Sequence, residues 1–391
     1  MKRHQEAPLP GSASLPAWLA WQADQQPQAI ALRHKRLGIW QQWRWAELQQ
    51  QVAALAAGLA AQGFAAGHSL VLLSHPRPEV LLLSLAAQWL GGEAVALDPQ
   101  QPVRDLQAIL LHLQPRWLLV EDAEALHSLP RDLPSPALLL YAEGRGLQQR
   151  LGPGWQAVAQ LQQAGAALPA PALLASNSAV AFRFWRVDGR GELQQQALQH
   201  GHLLQAGSQL LQAEGLTANE DALASRAFAS SAQVRYLLAP WLQAGFRLNF
   251  PENLATRDND RRELGPTLVA GTRETYSRLE QLARSRLPPT GSWQRALVDR
   301  VLQPDAGRFW RWAGHYSVIR PLRDVLGFSR TRVPLLLGAP LAENTRHFFA
   351  VLGVEVRNWP DSGEWQQRAL QPEPEGSIQQ WRPSATPPLQ A

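Results

Sequence analysis

The sequence predicts an α/β protein with two β-sheets flanked by helices, and three observations carry that expectation. An apolar run at 69–74, a helix-forming stretch from about 77 to 90 and a second apolar run at 93–98 make one β-α-β unit. Such a unit calls for a parallel or mixed sheet with helices on its faces. The rhythm then continues with strands at 116–121 and 137–141, and a second α/β set begins at Ala179, beyond a Gly-, Pro- and Gln-rich connection at 143–173.

Taken in order, residues 45–62 carry Leu48, Val52, Leu55 and Leu59 at helical spacing, and Gly63 ends the stripe. The run at 69–74 reads as a buried strand, and Arg77-Pro78-Glu79-Val80 opens the next helix. The longest apolar stretch, 80–97, contains Gln88, Glu93 and the Gly91-Gly92 break, so it reads as helix, cap and strand rather than a membrane span. In the second set, strands are expected near 246–250, 266–270, 333–337 and 354–357, with helices between them. This divides the chain into a first α/β subdomain at 1–178, a second at 179–370 and a polar, proline-rich tail at 371–391.

Composition narrows the function. Of 391 residues, 45% are hydrophobic and 18% charged, which suits a globular chain with a large core. The absence of cysteine removes disulfides, thiolate metal sites and cysteine nucleophiles, and fits a cytoplasmic protein. The N-terminal segment lacks an apolar core of signal-peptide length. A formal net charge of +5 with basic residues scattered along the chain argues against a nucleic-acid partner. Only Lys2 and Lys35 are lysines among 37 basic residues, so a catalytic lysine has few places to come from.

The stretch from Arg186 to Leu204 reads as a strand, a glycine-containing loop and a helix, a frame that often cradles phosphate with backbone N–H groups. Its loop nevertheless holds no Ser, Thr or Lys, and it carries Asp188 and Glu192. His200 and His202 have a spacing that could bind metal, but without a third ligand nearby in sequence they read as polar residues at a helix start. Ser225, Ser230 and Ser231 lack a Gly-x-Ser-x-Gly elbow, so nothing supports a hydrolase triad.

Residues 33–48, Arg77-Pro78-Glu79-Val80 and 85–92 resemble framework segments of long-chain acyl-CoA synthetases, members of the adenylate-forming superfamily. Three later stretches, 265–271, 322–327 and 338–354, extend the resemblance over nearly the whole chain. It implies the N-terminal core of the acyl-CoA synthetase fold, allows a further small distorted barrel, and leaves the mobile C-terminal domain of that family outside this sequence. The family's phosphate loop aligns without a gap to residues 186–200. There Gly191, Leu198 and His200 match, its hydroxyl positions become Arg186, Val187, Gly189 and Arg190, and its lysine becomes Gln194. Asp188 and Glu192 would then lie near a polyphosphate and repel it. The second nucleotide motif aligns to 359–364, where Glu364 alone is kept, at the position that would help hold Mg²⁺, and Pro360 replaces the aromatic that packs by adenine. Gly338, Ala339 and Pro340 match a further family segment, and Ser231 stands where the family carries a histidine.

The resemblance therefore implies a vestigial nucleotide site at Arg186, Arg190, Gly191, Gln194, His200, Gly338, Ala339, Pro340 and Glu364, with no catalytic residue and no resident cofactor or metal. The expected function is that of a pseudoenzyme which keeps the fold for an acyl ligand or a scaffolding role. A homo-oligomer or a protein partner would cover the exposed cleft face, against which the C-terminal domain docks in relatives. The alternative is a divergent but active AMP-forming acyl-CoA synthetase, which would use ATP, Mg²⁺ and CoA and hold the phosphates through Arg186 and Arg190.

Overall fold

The computed structural model describes residues 13–147, 154–302, 314–361 and 365–367. Strands β1 (Ile30–Arg36), β2 (Ile39–Arg44), β3 (Ser69–Leu73), β4 (Glu93–Leu97) and β5 (Trp117–Val120) come first. They are followed by β6 (Leu138–Tyr141), β7 (Trp155–Ala157), β8 (Val180–Val187), β9 (Leu193–Gln199) and β10 (Asp221–Leu223). The last five are β11 (Arg247–Phe250), β12 (Leu268–Gly271), β13 (Val333–Leu337), β14 (Arg357–Trp359) and β15 (Gln366–Gln367). All of these described strands fall into two open sheets, ordered β14-β13-β12-β10-β11-β1-β2 and β15-β9-β8-β4-β3-β5-β6-β7, and none closes into a small barrel.

The first sheet is parallel except for its edge strand β2, which forms a hairpin with β1. In the second sheet β8, β4, β3, β5, β6 and β7 are parallel, and β9 and β15 complete one edge, where β9 runs antiparallel to both β8 and β15. Sheet membership does not follow chain order. Strands β1 and β2 join the first sheet beside β11, and β8 and β9 join the second beside β4, so each sheet draws strands from both sides of residue 178.

The expected β-α-β unit is present as β3, the helix Pro78–Trp89 and β4, with Gly91 at a φ of 75° where the chain leaves the helix. That conformation is easy only for glycine. The stripe at 45–62 forms the helix Trp45–Ala61, burying Leu48, Val52, Leu55 and Leu59. It packs against the helices Leu15–Gln25, Pro78–Trp89 and Val158–Ala166. A core shared by both sheets surrounds this layer: Leu70, Leu72 and Phe182 from the second sheet meet the same cluster as Leu32, Leu248 and Leu335 from the first. Removing so large an apolar area from water is what chiefly holds the two sheets together. Smaller clusters fill the outer faces, one under the helix Val103–Leu113 and one under the helices Arg273–Ser285 and Glu343–Val351.

Two expectations are corrected. The segment at 354–357 enters the sheet only at Arg357, because Gly353 and Val354 close the preceding helix through bonds to Ala350 O and Phe349 O. More important, residues 193–199 are a strand, not the start of a helix, so Arg186 to His200 is a β-hairpin followed by a helix at His200–Glu214. Among the described residues no helix is long and apolar enough to cross a membrane. The proline-rich tail lies outside the described residues.

Candidate functional site

The hairpin turn that aligns with the family's phosphate loop is closed by Asp188. Its backbone N–H donates to Glu192 O at 2.9 Å, and Gly191 N–H donates to Asp188 O at 3.0 Å, with Gly191 at a φ of 85°. The Asp188 carboxylate accepts the N–H groups of Arg190 (2.8 Å) and Glu192 (2.9 Å) on one oxygen, and the Gln194 amide (3.2 Å) on the other. The Glu192 and Arg190 amides hold this carboxyl below its usual range. The turn's outward amides thus already carry an anion supplied by the chain. Asp188 does more than repel a polyphosphate, as its sequence position suggested: it takes up the donors a phosphate would need.

Gln194, at the family's lysine position, also accepts from Arg186 Nε at 2.8 Å, and the Arg186 guanidinium lies over the Trp365 ring at 4.1 Å. Strand β15 pairs Gln366 with Gln195 and Gln367 with Gln194. β14 belongs to the first sheet and β15 to the second, where Trp365, Gln366 and Gln367 lie beside the hairpin. Glu364 itself lies outside the described residues. Before it, Ser231 Oγ donates to the Asp361 carboxylate, 2.6 Å from each oxygen, Arg235 stands 3.9 Å from the same carboxylate, and Tyr236 OH donates to Pro360 O at 3.1 Å. Pro360 and Asp361 are thereby fastened to a π-helical turn, Val234–Leu238, and the helical residues preceding it.

The other aligned residues scatter. Arg190 and Gly191 are exposed at the turn. Ala339 and Pro340 are exposed beyond the end of β13 in the other sheet, where Pro340 O accepts from Arg273 Nε at 2.8 Å, and Gly338 N–H donates to Trp359 O at 3.2 Å. His200 is fully buried, and its Nδ1 accepts the Leu15 N–H at 3.2 Å. It pins the first helix and has no exposed atom to offer a ligand. Burial drops its pKa from 6.5 to about 3. The unfolded chain would take up a proton below pH 6.5 that the fold refuses, so this stability is present above pH 6.5 and lost as pH falls toward 3. At pH 5 the loss is about 2 kcal/mol at ~1.4 kcal/mol per unit. Denaturant titrations of the wild type and His200→Gln at pH 7 and pH 5 should show a smaller acid loss in the variant; equal losses would contradict this role.

A cavity of about 800 Å³ lies elsewhere, lined by His75, Arg77, Glu121 and their neighbours, none of which the nucleotide motifs include. It opens beyond the C-terminal ends of β3, β4 and β5 and is closed on its far side by residues 251–255, which follow β11 of the other sheet. β4 lies on one side of β3 and β5 on the other, so the chain reverses its direction of winding here, and open α/β sheets bind ligands at such a point. Glu121 ties the two edges of the reversal together. Its Oε2 is 2.8 Å from His75 Nδ1 and accepts the His75 N–H (2.7 Å) and Ser74 Oγ–H (3.2 Å), while Oε1 accepts Arg77 Nη1 at 3.4 Å. Burial alone would raise the Glu121 pKa, but His75 and Arg77 outweigh it and hold it at about 2. The same hydrogen bond raises the pKa of His75. The signal that could have found this site is the pair of polar segments, Ser74-His75 and Glu121-Asp122, directly after two apolar strands. Among the described residues no group of three His, Cys, Asp or Glu side chains could hold a metal ion.

Comparison with known proteins agrees with the fold and with the first half of the sequence. Residues 19–174 match the family model described as AMP-binding enzyme. A medium/long-chain-fatty-acid–[acyl-carrier-protein] ligase of Mycobacterium tuberculosis is 36% identical over 118 residues, covering 28% of this chain and 22% of that protein. The 2-succinylbenzoate–CoA ligase of Escherichia coli is 33% identical over 107 residues, covering 27% of this chain and 23% of that one. The matches thus span about a fifth of those relatives' length. The solved adenylation domain of a carboxylic acid reductase from Segniliparus rugosus superposes with a TM-score of 0.68 at 17% identity, over 88% of this chain and 59% of that one. The α/β fold is shared with such domains, and residues 19–174 are similar in sequence to the AMP-binding enzyme family.

Proposed function

We propose that this chain is a non-catalytic member of the adenylate-forming superfamily, one that keeps the acyl-CoA-ligase-like fold without handling a nucleotide. One observation carries the reading: the Asp188 carboxylate accepts the Arg190 and Glu192 amides of the hairpin turn, where an incoming phosphate would have to bind. The cation that family members add is also missing, since Gln194 replaces the lysine and is spent on Arg186 and Asp188. Arg186 lies over Trp365 and donates to Gln194, and its charge is met by the nearby Asp188 carboxylate. The retained apolar core suits a protein that binds an acyl ligand or serves as a scaffold, with a second copy or another protein over the cleft face. No resident cofactor is needed for either role.

Fatty-acid-dependent ATP–pyrophosphate exchange tests the proposal. The expected result is no exchange above a protein-free blank, in the wild type and equally in Gln194→Lys, because a single lysine adds charge to a turn whose amides stay occupied. Exchange that depends on added fatty acid would support an active, divergent ligase instead.

A further inference from the structure

We propose that the crevice between the ends of β3 and β5 is a ligand site for a small oxyanion, a carboxylate or a phosphate monoester, with His75 as its anchor and Glu121 as the residue that positions His75. The reason lies in which polar groups of the crevice are already satisfied. Glu121 is filled by Ser74, His75 and Arg77. One oxygen of Asp122 accepts the amides of Glu124 and Ala125, each at 2.9 Å, and both oxygens of Glu252 accept the amides of Leu37 (2.8 Å) and Gly38 (3.2 Å). Arg77 is divided between Glu79 and Glu121.

With these bonds subtracted, the donors left to meet a ligand lie beside acceptors that also line the cavity, the Glu124 carboxylate and the second Asp122 oxygen. His75 keeps its Nε2, with its side chain 30% exposed. The Ser128 hydroxyl and the Asn253 amide nitrogen also line the cavity with no partner among the described residues. Groups that still need acceptors favour a ligand rich in acceptors, and a protonated imidazole donates its strongest hydrogen bond to an oxyanion. The ligand must also be small and of low charge. Asp122, Glu124 and Glu252 keep their negative charge around the cavity even where their lone pairs are engaged, so a polyphosphate meets repulsion that a single carboxylate or phosphate largely escapes.

The groups that face His75 are Glu121 beyond β5, Asp98 beyond β4, Arg77 just ahead of the following helix, and Asp122, Glu124, His127 and Glu252 around the cavity. Of these, Glu121 is in direct contact and favours the protonated ring. Binding that needs the imidazolium weakens about tenfold for each pH unit above the pKa of His75.

Isothermal titration of the full chain with malonate at pH 6 and pH 8 reads this directly, with inorganic phosphate, ADP and spermidine as further probes at pH 6. The expected result is saturable binding of malonate or phosphate that is weaker at pH 8 than at pH 6 for whichever probe binds, and lost in His75→Gln. Asn253→Asp keeps the acceptor for the Thr256 amide but removes the donor, so it should weaken the same binding while leaving the melting temperature unchanged, which separates ligand loss from misfolding. Binding of malonate alone assigns a carboxylate, and of phosphate alone a phosphate monoester. No saturation by either probe, equal affinity at both pH values, tighter binding of ADP, or binding of spermidine in their place would overturn the proposal.

Discussion

Gly165→Ala should destabilise the protein by on the order of 3–5 kcal/mol, because the added methyl has nowhere to go. A Cβ built on Gly165 would collide with Ala54 O and stand 2.6 Å from Gly58 N. Both are backbone atoms of the helix Trp45–Ala61, so no side chain can swing aside; the helices themselves must part. The gain in helix propensity from Gly to Ala is only ~1 kcal/mol and cannot offset that clash. Gly58→Ala should cost less, since part of its contact is the Leu161 side chain, although Leu161 O at 2.7 Å is also in the way. Urea titration of both variants checks the order. A Gly165→Ala protein as stable as the wild type would show that the two helices do not approach this closely.

Glu121→Ala should cost about 2–4 kcal/mol, since it leaves the His75 N–H, the Ser74 hydroxyl and one arm of Arg77 without their shared acceptor. The acid behaviour of the wild type gives an independent figure. Glu121 titrates at about 2 in the fold against 4.5 unperturbed, so its stabilisation is present above pH 4.5 and lost as pH falls toward 2. At ~1.4 kcal/mol per unit this is about 3 kcal/mol, the same size as the deletion cost. Glu121→Gln keeps an acceptor for the amide and the hydroxyl and should lose less. It should also lower the pKa of His75, measurable by ring-proton chemical shifts. An unchanged His75 titration in Glu121→Gln would contradict the coupling of the two groups.

Much of the fold was legible because its strands are buried on both faces. The runs at 69–74, 93–98 and 333–337 are continuous apolar stretches, as strands covered by helices must be. What escaped were strands with no such signature. β2 has no buried residue along Ile39–Arg44, so its alternation carries no burial pattern. β9 contains four glutamines in seven residues and reads as helix, although Leu193, Gln195, Gln196 and Leu198 are buried in the sheet. The Asp188-Gly189 pair was the available hint, since such a pair between two strands favours a hairpin turn. The motif losses at Gln194 and Pro360 were readable from sequence; that Asp188 fills the turn, and that Ser231 grips Asp361, required coordinates. His75 and Glu121 each follow an apolar strand, but their pairing was not legible, because 46 residues and a change of winding direction separate them.

The Asp188 carboxylate already takes the Arg190 and Glu192 amides of the hairpin turn, so a nucleotide phosphate would have to bind without them. Calorimetric titration of the full chain with ATP and Mg²⁺ tests it most directly, since it asks for binding alone and requires no turnover. No saturable heat is expected at ATP concentrations below about 1 mM, an affinity no better than ~4 kcal/mol. Saturable binding with a micromolar Kd would contradict it.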